Sequence, residues 1–220
     1  MIKLEPMIYT GFGVVLGFVL GFLGTLLTEF FKRRRSKKDF KEGLCAQLRE
    51  VQPRLAGIYG SLSIALGKID RDMLSWVHSM KLEWSGDPLE ITQTKIEELL
   101  KLGNDELAKA TQLLIARQSG RKVKYIKKIS LPFLENNFHL IPLLDSNHQR
   151  SILDIWTKIN WLKEEIDRCN FFFERTFDSS LSPENWKILH ENINKSYEVI
   201  AKLCRDIAES VSKIIEELSK

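Results

Sequence analysis

The sequence predicts an all-α protein in which a single N-terminal transmembrane helix continues into a long-helix cytoplasmic bundle or coiled-coil-like domain. Three observations lead to this class. The stretch from Pro6 to Thr28 contains no charged side chain. Apolar residues then recur every three or four positions through most of the chain, which is typical of amphipathic helices. Turn residues do not recur about every 8–12 residues, so an all-β sandwich or barrel is excluded.

Composition narrows the class further. The chain has 220 residues, 44% of them hydrophobic and 28% charged, with a net charge of +4, so a disordered chain is excluded. Its 3 cysteines are odd in number and widely spaced, which predicts a reducing compartment and no disulfide framework. The positive charge lies in two blocks, 32–41 and 117–128, and each block has a net charge of +6.

The first segment, residues 1–31, is predicted to cross a membrane over about residues 8–31. At about 1.5 Å per helical residue, its uncharged stretch measures about 34 Å and exceeds the hydrocarbon core of a bilayer. A cleaved signal peptide needs a positive start and a small-residue cleavage site, which the sequence lacks. Basic residues after a span stay in the cytoplasm. We therefore expect the N-terminus outside and the C-terminus in the cytoplasm, and the short outer end suits a bacterial inner membrane.

A basic linking helix is predicted over residues 32–53, and we expect it to continue from the span without a break until Pro53. Its cations explain both the stop of membrane insertion and contact with acidic lipid headgroups. The predicted headgroup contacts are Lys32, Arg33, Arg34, Arg35, Lys37 and Lys38.

Glycines mark one face of the predicted span. A glycine costs about 1 kcal/mol in a helix, so a repeated row of glycines needs a reason. In lipid that reason is close approach of two helix backbones; the alternative is glycine that is merely tolerated. With one span per chain, the expected partner is a second copy or another membrane protein. The predicted association residues are Gly13, Gly17, Gly21 and Gly24.

The remaining residues, 54–220, are predicted to form the cytoplasmic helical bundle. Its first helix is expected to run for about thirty residues from Leu55 to Met80 and to end at the turn 85–88. Two shorter helices are expected on either side of Gly103.

The second half of the bundle contains the two longest apolar stripes. The stretch from Ser130 to Ser146 lacks periodicity and is expected to be the longest connection. The stripes then run from Ile152 to Phe173 and from Leu189 to Leu218. Packing within one chain would give an antiparallel bundle, and packing between chains would give a coiled coil; the sequence leaves both open.

The second basic block has no acidic residue between Glu106 and Glu135. If the block is helical, four of its cations share one face and repel each other unless an anion neutralises them. Three sources of that anion stay open: a nucleotide or oligonucleotide, an acidic lipid surface, or acidic faces of the same chain. The candidate residues are Arg117, Arg121, Lys122, Lys124, Lys127 and Lys128.

The sequence contains no motif of catalysis, metal binding or cofactor binding. Its layout resembles that of small bacterial membrane effectors and sensors, including those of antiphage defence. The leading hypothesis is a non-enzymatic homo-oligomer that associates through the glycine face, senses an anionic ligand in the cytosol and gates a pore. The alternative is a passive membrane tether that recruits a cytosolic partner protein through an exposed helix face.

Overall fold

The computed structural model describes residues 5–80, 93–118 and 125–219, and the side chains of 16–80, 94–116 and 125–219. Within these ranges the chain is helical and has no strand, which confirms the all-α prediction. The helices are α1 (Glu5–Ala65), α2 (Arg71–Ser79), α3 (Gln93–Lys101), α4 (Asn104–Gln118), α5 (Pro132–Asn136), α6 (Ser146–Arg175) and α7 (Pro183–Leu218), with a 3₁₀ helix at Phe138–Leu143.

The first helix is longer than predicted. The expectation that it ends at Pro53 is wrong, because α1 continues through the proline to Ala65. A proline inside a helix removes one backbone hydrogen bond and costs about 3 kcal/mol. Val51 and Leu55 on either side of Pro53 are buried in the bundle, and this packing offsets the cost.

The helix predicted from Leu55 to Met80 is broken in two. Gly67 adopts a φ of +70°, which favours glycine. The N–H of Gly67 donates to the carbonyl of Ile64, and that of Lys68 donates to the carbonyl of Ser63, the bonding pattern of a Schellman motif. Asp70 then caps α2 by accepting the N–H of Met73. The turn predicted at 85–88 lies outside the described residues.

The three long helices pack within one chain. Gln52 of α1 donates to Ser212 of α7. Lys68 follows the end of α1, and its Nζ lies 2.8 Å from Oε1 of Glu198 in α7. Higher numbers on α1 therefore pair with lower numbers on α7, so these helices are antiparallel. The α6 and α7 helices form an antiparallel hairpin and share one core with α1. The long stripes are thus explained by an intramolecular bundle.

The predicted stripes form the core of this bundle. Those of α6 and α7 face each other, with α7 capped by Ser182, whose hydroxyl accepts the N–H of Asn185. The buried stripe of α6 comprises Ile152, Ile155, Ile159, Leu162, Ile166 and Cys169.

A second, smaller core forms where α2, α3 and α4 cover the end of α1. Tyr59 and Trp76 lie between the two cores, with their ring centroids 4.9 Å apart. Arg205 connects α7 to α2. Its guanidinium lies 3.0 Å from Asp72 Oδ2 and 5.5 Å from the centroid of the Trp76 ring.

The connection predicted to be longest, 130–146, holds α5 and the 3₁₀ helix. Residues 125–131 lead into this connection. They form no helix, and Ile126, Ile129 and Leu131 are buried against the bundle. The ring of Phe133 in α5 then lies directly against Gly43 of α1.

Candidate functional site

The first half of α1 projects from the bundle as an apolar rod, which we define as residues 16–31. Every residue of the rod is exposed, and the first buried side chain of α1 after it is Phe40, which is 1% exposed. Large contiguous exposed apolar surfaces mark sites that contact a protein or a membrane. Ten large apolar side chains of the rod are 45–76% exposed: Leu16, Phe18, Val19, Leu20, Phe22, Leu23, Leu26, Leu27, Phe30 and Phe31.

The glycines of the rod lie on an open face. A Cβ atom added at Gly17, Gly21 or Gly24 would meet no atom within 4 Å. Gly13 also lies in α1, but its surroundings are outside the described side chains. The hydroxyls of Thr25 and Thr28 donate to the carbonyls of Gly21 and Gly24, at 3.0 and 2.8 Å. These polar groups are therefore satisfied within the helix.

The predicted span of residues 8–31 includes residues 8–15, whose side chains lie outside the described part. Over the residues that the structure describes, no helix has the combined length and apolarity needed to cross a membrane.

The glycine face points away from the bundle. At about 100° per residue, Gly17 lies about 180° around α1 from Leu44, and Gly21 lies about 180° from Leu48; both leucines are buried in the bundle. A partner can therefore approach the glycine face without meeting this chain's own bundle.

The predicted headgroup contacts form a basic collar, which we define as residues 32–38, directly after the rod. The collar is exposed except for the half-buried Lys37. Arg35 pairs with Asp39 and Lys38 pairs with Glu42, each at 3.8 Å. Exposed pairs of this kind contribute little free energy, so the cations of the collar stay accessible to anions.

The second basic block is described only in part. Arg117 lies in the last turn of α4, but its side chain is outside the described residues, as are Arg121, Lys122 and Lys124. The helical condition under which Lys128 would share a face with these cations is not met at its end of the block, because Lys127 and Lys128 lie in the non-helical segment 125–131.

A buried asparagine explains why this segment is not helical. The Asn170 side chain of α6 is 4% exposed and binds both backbone polar groups of Ile126. The N–H of Ile126 donates to Asn170 Oδ1 at 3.2 Å, and Asn170 Nδ2 donates to the Ile126 carbonyl at 3.0 Å. The N–H of Ile126 is then not left for a helical hydrogen bond, and its carbonyl already has a partner.

The two lysines of the segment differ in their partners. Lys128 Nζ lies 2.7 Å from Asp167 Oδ1, so an acidic face of the same chain neutralises this cation, one of the three sources predicted. Lys127 is exposed and, within the described ranges, makes no ion pair.

Two exposed aromatic side chains adjoin in sequence the residues that this contact joins: Tyr125 precedes Ile126, and Phe171 follows Asn170. Sequence reasoning did not identify them. Tyr125 is 57% exposed and Phe171 of α6 is 51% exposed. The guanidinium of Arg175 lies 5.1 Å from the centroid of the Phe171 ring. The run of three phenylalanines at 171–173, near the end of a helix, was the available sequence signal.

A shallow cleft between α6 and α7 measures about 410 Å³. Its apolar side chains include Trp161 and Leu203, and Glu165 at its edge pairs with Arg168. Among the residues that the structure describes, no group of three metal-ligating side chains is found.

The three cysteines are buried, and burial raises the pKa of each thiol, that of Cys169 to about 12. Because the thiolate is the reactive form, we expect disulfide reagents to modify the folded chain much more slowly than an exposed thiol at pH 8. Absorbance of the released thiol from Ellman's reagent measures this. The chain unfolded in guanidinium is the control and should release three equivalents; rapid reaction of the folded chain would contradict the burial.

The fold and these surfaces define a class of protein: an all-α bundle with a projecting apolar helix and a basic collar, and with a second basic block in its sequence at 117–128. The chain matches no protein-family model, and no similar curated protein or solved structure was found.

Proposed function

We propose that this chain is a non-enzymatic, single-pass protein of a bacterial inner membrane, with its bundle in the cytoplasm, that self-associates through the glycine face of α1. The observation that carries the proposal is the apolar rod, which is exposed along its whole length in the part of the chain that the structure describes and is followed directly by the basic collar.

The composition of the predicted span also favours its insertion into a membrane. Fourteen residues between Ile8 and Phe31 are Ile, Leu, Val or Phe. At about −0.3 to −0.6 kcal/mol each, they favour insertion by several kcal/mol. The collar then lies where the cytoplasmic headgroups begin, and each of its cations near an acidic surface adds about 1 kcal/mol of attraction.

Self-association is supported by the open glycine face. Helices associate in lipid through close backbone contact, which needs small side chains. Because this face is opposite to the one that packs on the bundle, two chains joined through it would hold their bundles on the outer sides of the α1 pair. The bundles would then leave the contact between the helices unobstructed.

The proposed activity is relay of a cytosolic signal to the membrane, as in effectors of antiphage defence. An anionic ligand at the second basic block, Arg117–Lys128, would favour one arrangement of the assembled chains to the extent that it binds that arrangement more tightly. In the channel version this arrangement opens a pore. The residues of the rod before Glu29 are apolar, Gly or Thr, so such a pore would close by dewetting at a hydrophobic gate.

The second candidate is a passive tether that recruits a cytosolic protein. It is supported by the cleft between α6 and α7, where the Trp161 side chain is 56% exposed beside Val199 and Leu203. A ring exposed in this way is typical of residues that anchor a protein interface.

Replacing residues 8–28 by polyleucine separates the two candidates. We expect the variant to stay in the membrane after carbonate washing, because polyleucine also inserts, and to run as a monomer in detergent, whereas the natural chain runs as an oligomer. Liposomes that carry the natural chain are expected to conduct when ligand is present. A natural chain that is washed off the membrane would refute the proposed anchor. A monomeric natural chain would refute self-association and leave the tether.

A further inference from the structure

The open face of α1 continues from the rod toward the bundle. The small residues of the rod are spaced by four, three and four positions, at 17, 21, 24 and 28. Seven positions after Thr28 the same spacing begins again, and the four residues that follow it are all exposed. We name these four residues the charged seam: Arg35, Asp39, Glu42 and Ala46.

The two runs of residues lie on one face of the helix. At about 100° per residue, Arg35 lies at the same angle as Gly17, and Glu42 and Ala46 lie about 20° to either side. A repeat of seven residues keeps two helices in contact when they wind around each other with a left-handed twist. A parallel helix that packs on the glycines in this way therefore follows the charged seam as well.

The bundle leaves this side of α1 open. On one flank Gly43 lies against the ring of Phe133 in α5. On the other flank Gln52 donates to Ser212 of α7. These two positions of α1 are about 180° apart around the helix. The half of the circumference that contains Leu44 is buried in the bundle, and the other half contains the exposed charged seam.

The charges on this face complement each other across one helical turn. Within the chain Arg35 pairs with Asp39 and Lys38 pairs with Glu42, each at 3.8 Å, and the four side chains are 65–86% exposed. Exposed pairs contribute little free energy, so these side chains can exchange partners at little cost. In a parallel pair of helices Arg35 of one copy lies one turn from Asp39 of the second copy, within reach of its long side chain.

This pattern of charge fits a second copy of the chain better than a lipid surface. Acidic headgroups attract the cations of the collar but repel the carboxylates of Asp39 and Glu42. A parallel second copy offers a carboxylate to each cation and a cation to each carboxylate. At the end of the seam, the small side chain of Ala46 lets the two helix backbones remain close.

We propose that the charged seam of α1 binds the same seam of a second copy, so that the two helices form a parallel, left-handed pair from Gly17 to Ala46. Arg35 and Asp39 form ion pairs between the copies. The inference rests on the proposed self-association and gives its register over about 44 Å of helix. Because α1 is one helix from the rod into the bundle, a shift between the paired bundles would be transmitted directly to the glycine face.

Disulfide formation between full-length chains in native membranes tests the contact. Ala46→Cys is expected to crosslink with copper phenanthroline, because equivalent positions of the seam face each other. Arg33→Cys is the matched control, since Arg33 is exposed but lies about 160° around α1 from Arg35, and it should remain at background. The natural chain, whose cysteines are buried in the fold, gives that background.

Variants of opposite charge test the exchange of ion pairs. Arg35→Glu makes the seam wholly acidic, and Asp39→Arg adds a second cation, so like charges oppose the pairing of either variant with itself. When the two variants carry different tags in one membrane, mixed pairs should exceed random mixing by about threefold or more, and high salt should reduce the excess. Arg33→Glu with Glu29→Arg is the matched control, because it makes the same charge changes on the other side of α1 and should mix at random.

The outcomes separate this inference from the proposed self-association. Crosslinking at Thr28→Cys without crosslinking at Ala46→Cys would refute the inference alone, because the copies would then part after the rod. Crosslinking at Ala46→Cys alone would support the seam and refute the glycine face. Random mixing of the Arg35 and Asp39 variants, or an equal excess in the control pair, would refute the ion pairs between copies. Crosslinking of Ala46→Cys to a different protein would assign the seam to that partner and overturn the inference.

Discussion

Replacing Gly17 and Gly21 by isoleucine is expected to abolish crosslinking between copies in native membranes while leaving the chain inserted. Two branched side chains on the glycine face would hold the helix backbones apart, and close backbone contact is what joins helices in lipid. In the single chain both positions are open, with no atom within 4 Å of an added Cβ. The double variant therefore removes the contact between chains without disturbing the fold, and isoleucine favours membrane insertion more than glycine does.

The measurement is disulfide formation from Thr28→Cys, which lies on the same face of α1. The three natural cysteines are buried, so the background is expected to be low. Val19→Ile with Leu26→Phe is the matched control because it adds bulk to the opposite face. Crosslinking that persists in the glycine variant, or that is lost equally in the control, would contradict an interface through the glycine face.

The long helices of the bundle could be predicted because their signals are local and repeated. In α6 the apolar spacing alternates between three and four from Ile152 to Cys169, and every residue of that stripe is buried. In α7 the pair Ser182–Pro183 indicates the first turn, and the hydroxyl caps the helix. A signal repeated over several turns outweighs single exceptions.

The position at which α1 ends could not be predicted, because it depends on competing local and tertiary effects. Pro53 is a strong local stop signal, but the packing of its neighbours keeps the helix intact. At Gly67 the opposite happens. The apolar spacing continues through Leu62, Leu66, Ile69 and Met73 although the chain turns, so periodicity alone hides the end of α1.

The candidate site was predicted where it follows one helix and missed where it joins two elements. The rod and the collar are consecutive in sequence, and their hydropathy and charge are visible there. The non-helical segment 125–131 depends on Asn170, which binds Ile126 across 44 positions of sequence. No local pattern marks an asparagine that binds a distant backbone, so the sequence left the conformation at Lys127 and Lys128 open.

Gly43→Ala is expected to lower the free energy of unfolding by about 1–2 kcal/mol, because the overpacking cost exceeds the gain in helix propensity of about 1 kcal/mol. Gly43 lies where α1 meets α5, and an added Cβ would overlap the ring of Phe133, with even Cε1 only 2.9 Å away. The ring stacks on Phe40 at a centroid distance of 6.0 Å, so moving it away from an added Cβ would disturb that stacking. Overpacking in a filled core typically costs about 1–3 kcal/mol. Denaturant unfolding of the purified chain, followed by circular dichroism, measures the change.

Two further variants make this prediction specific to the Gly43–Phe133 contact. Phe133→Leu shortens the ring, so Gly43→Ala should cost much less in that background, with a coupling free energy of about 1 kcal/mol or more. Gly60→Ala is the matched control in the same helix, because its added Cβ would lie 3.7 Å from Val77, an ordinary contact. Since alanine favours a helix by about 1 kcal/mol over glycine, this control should be neutral or stabilising. Equal losses at both glycines, or no coupling to Phe133, would show that α1 and α5 do not pack in this way.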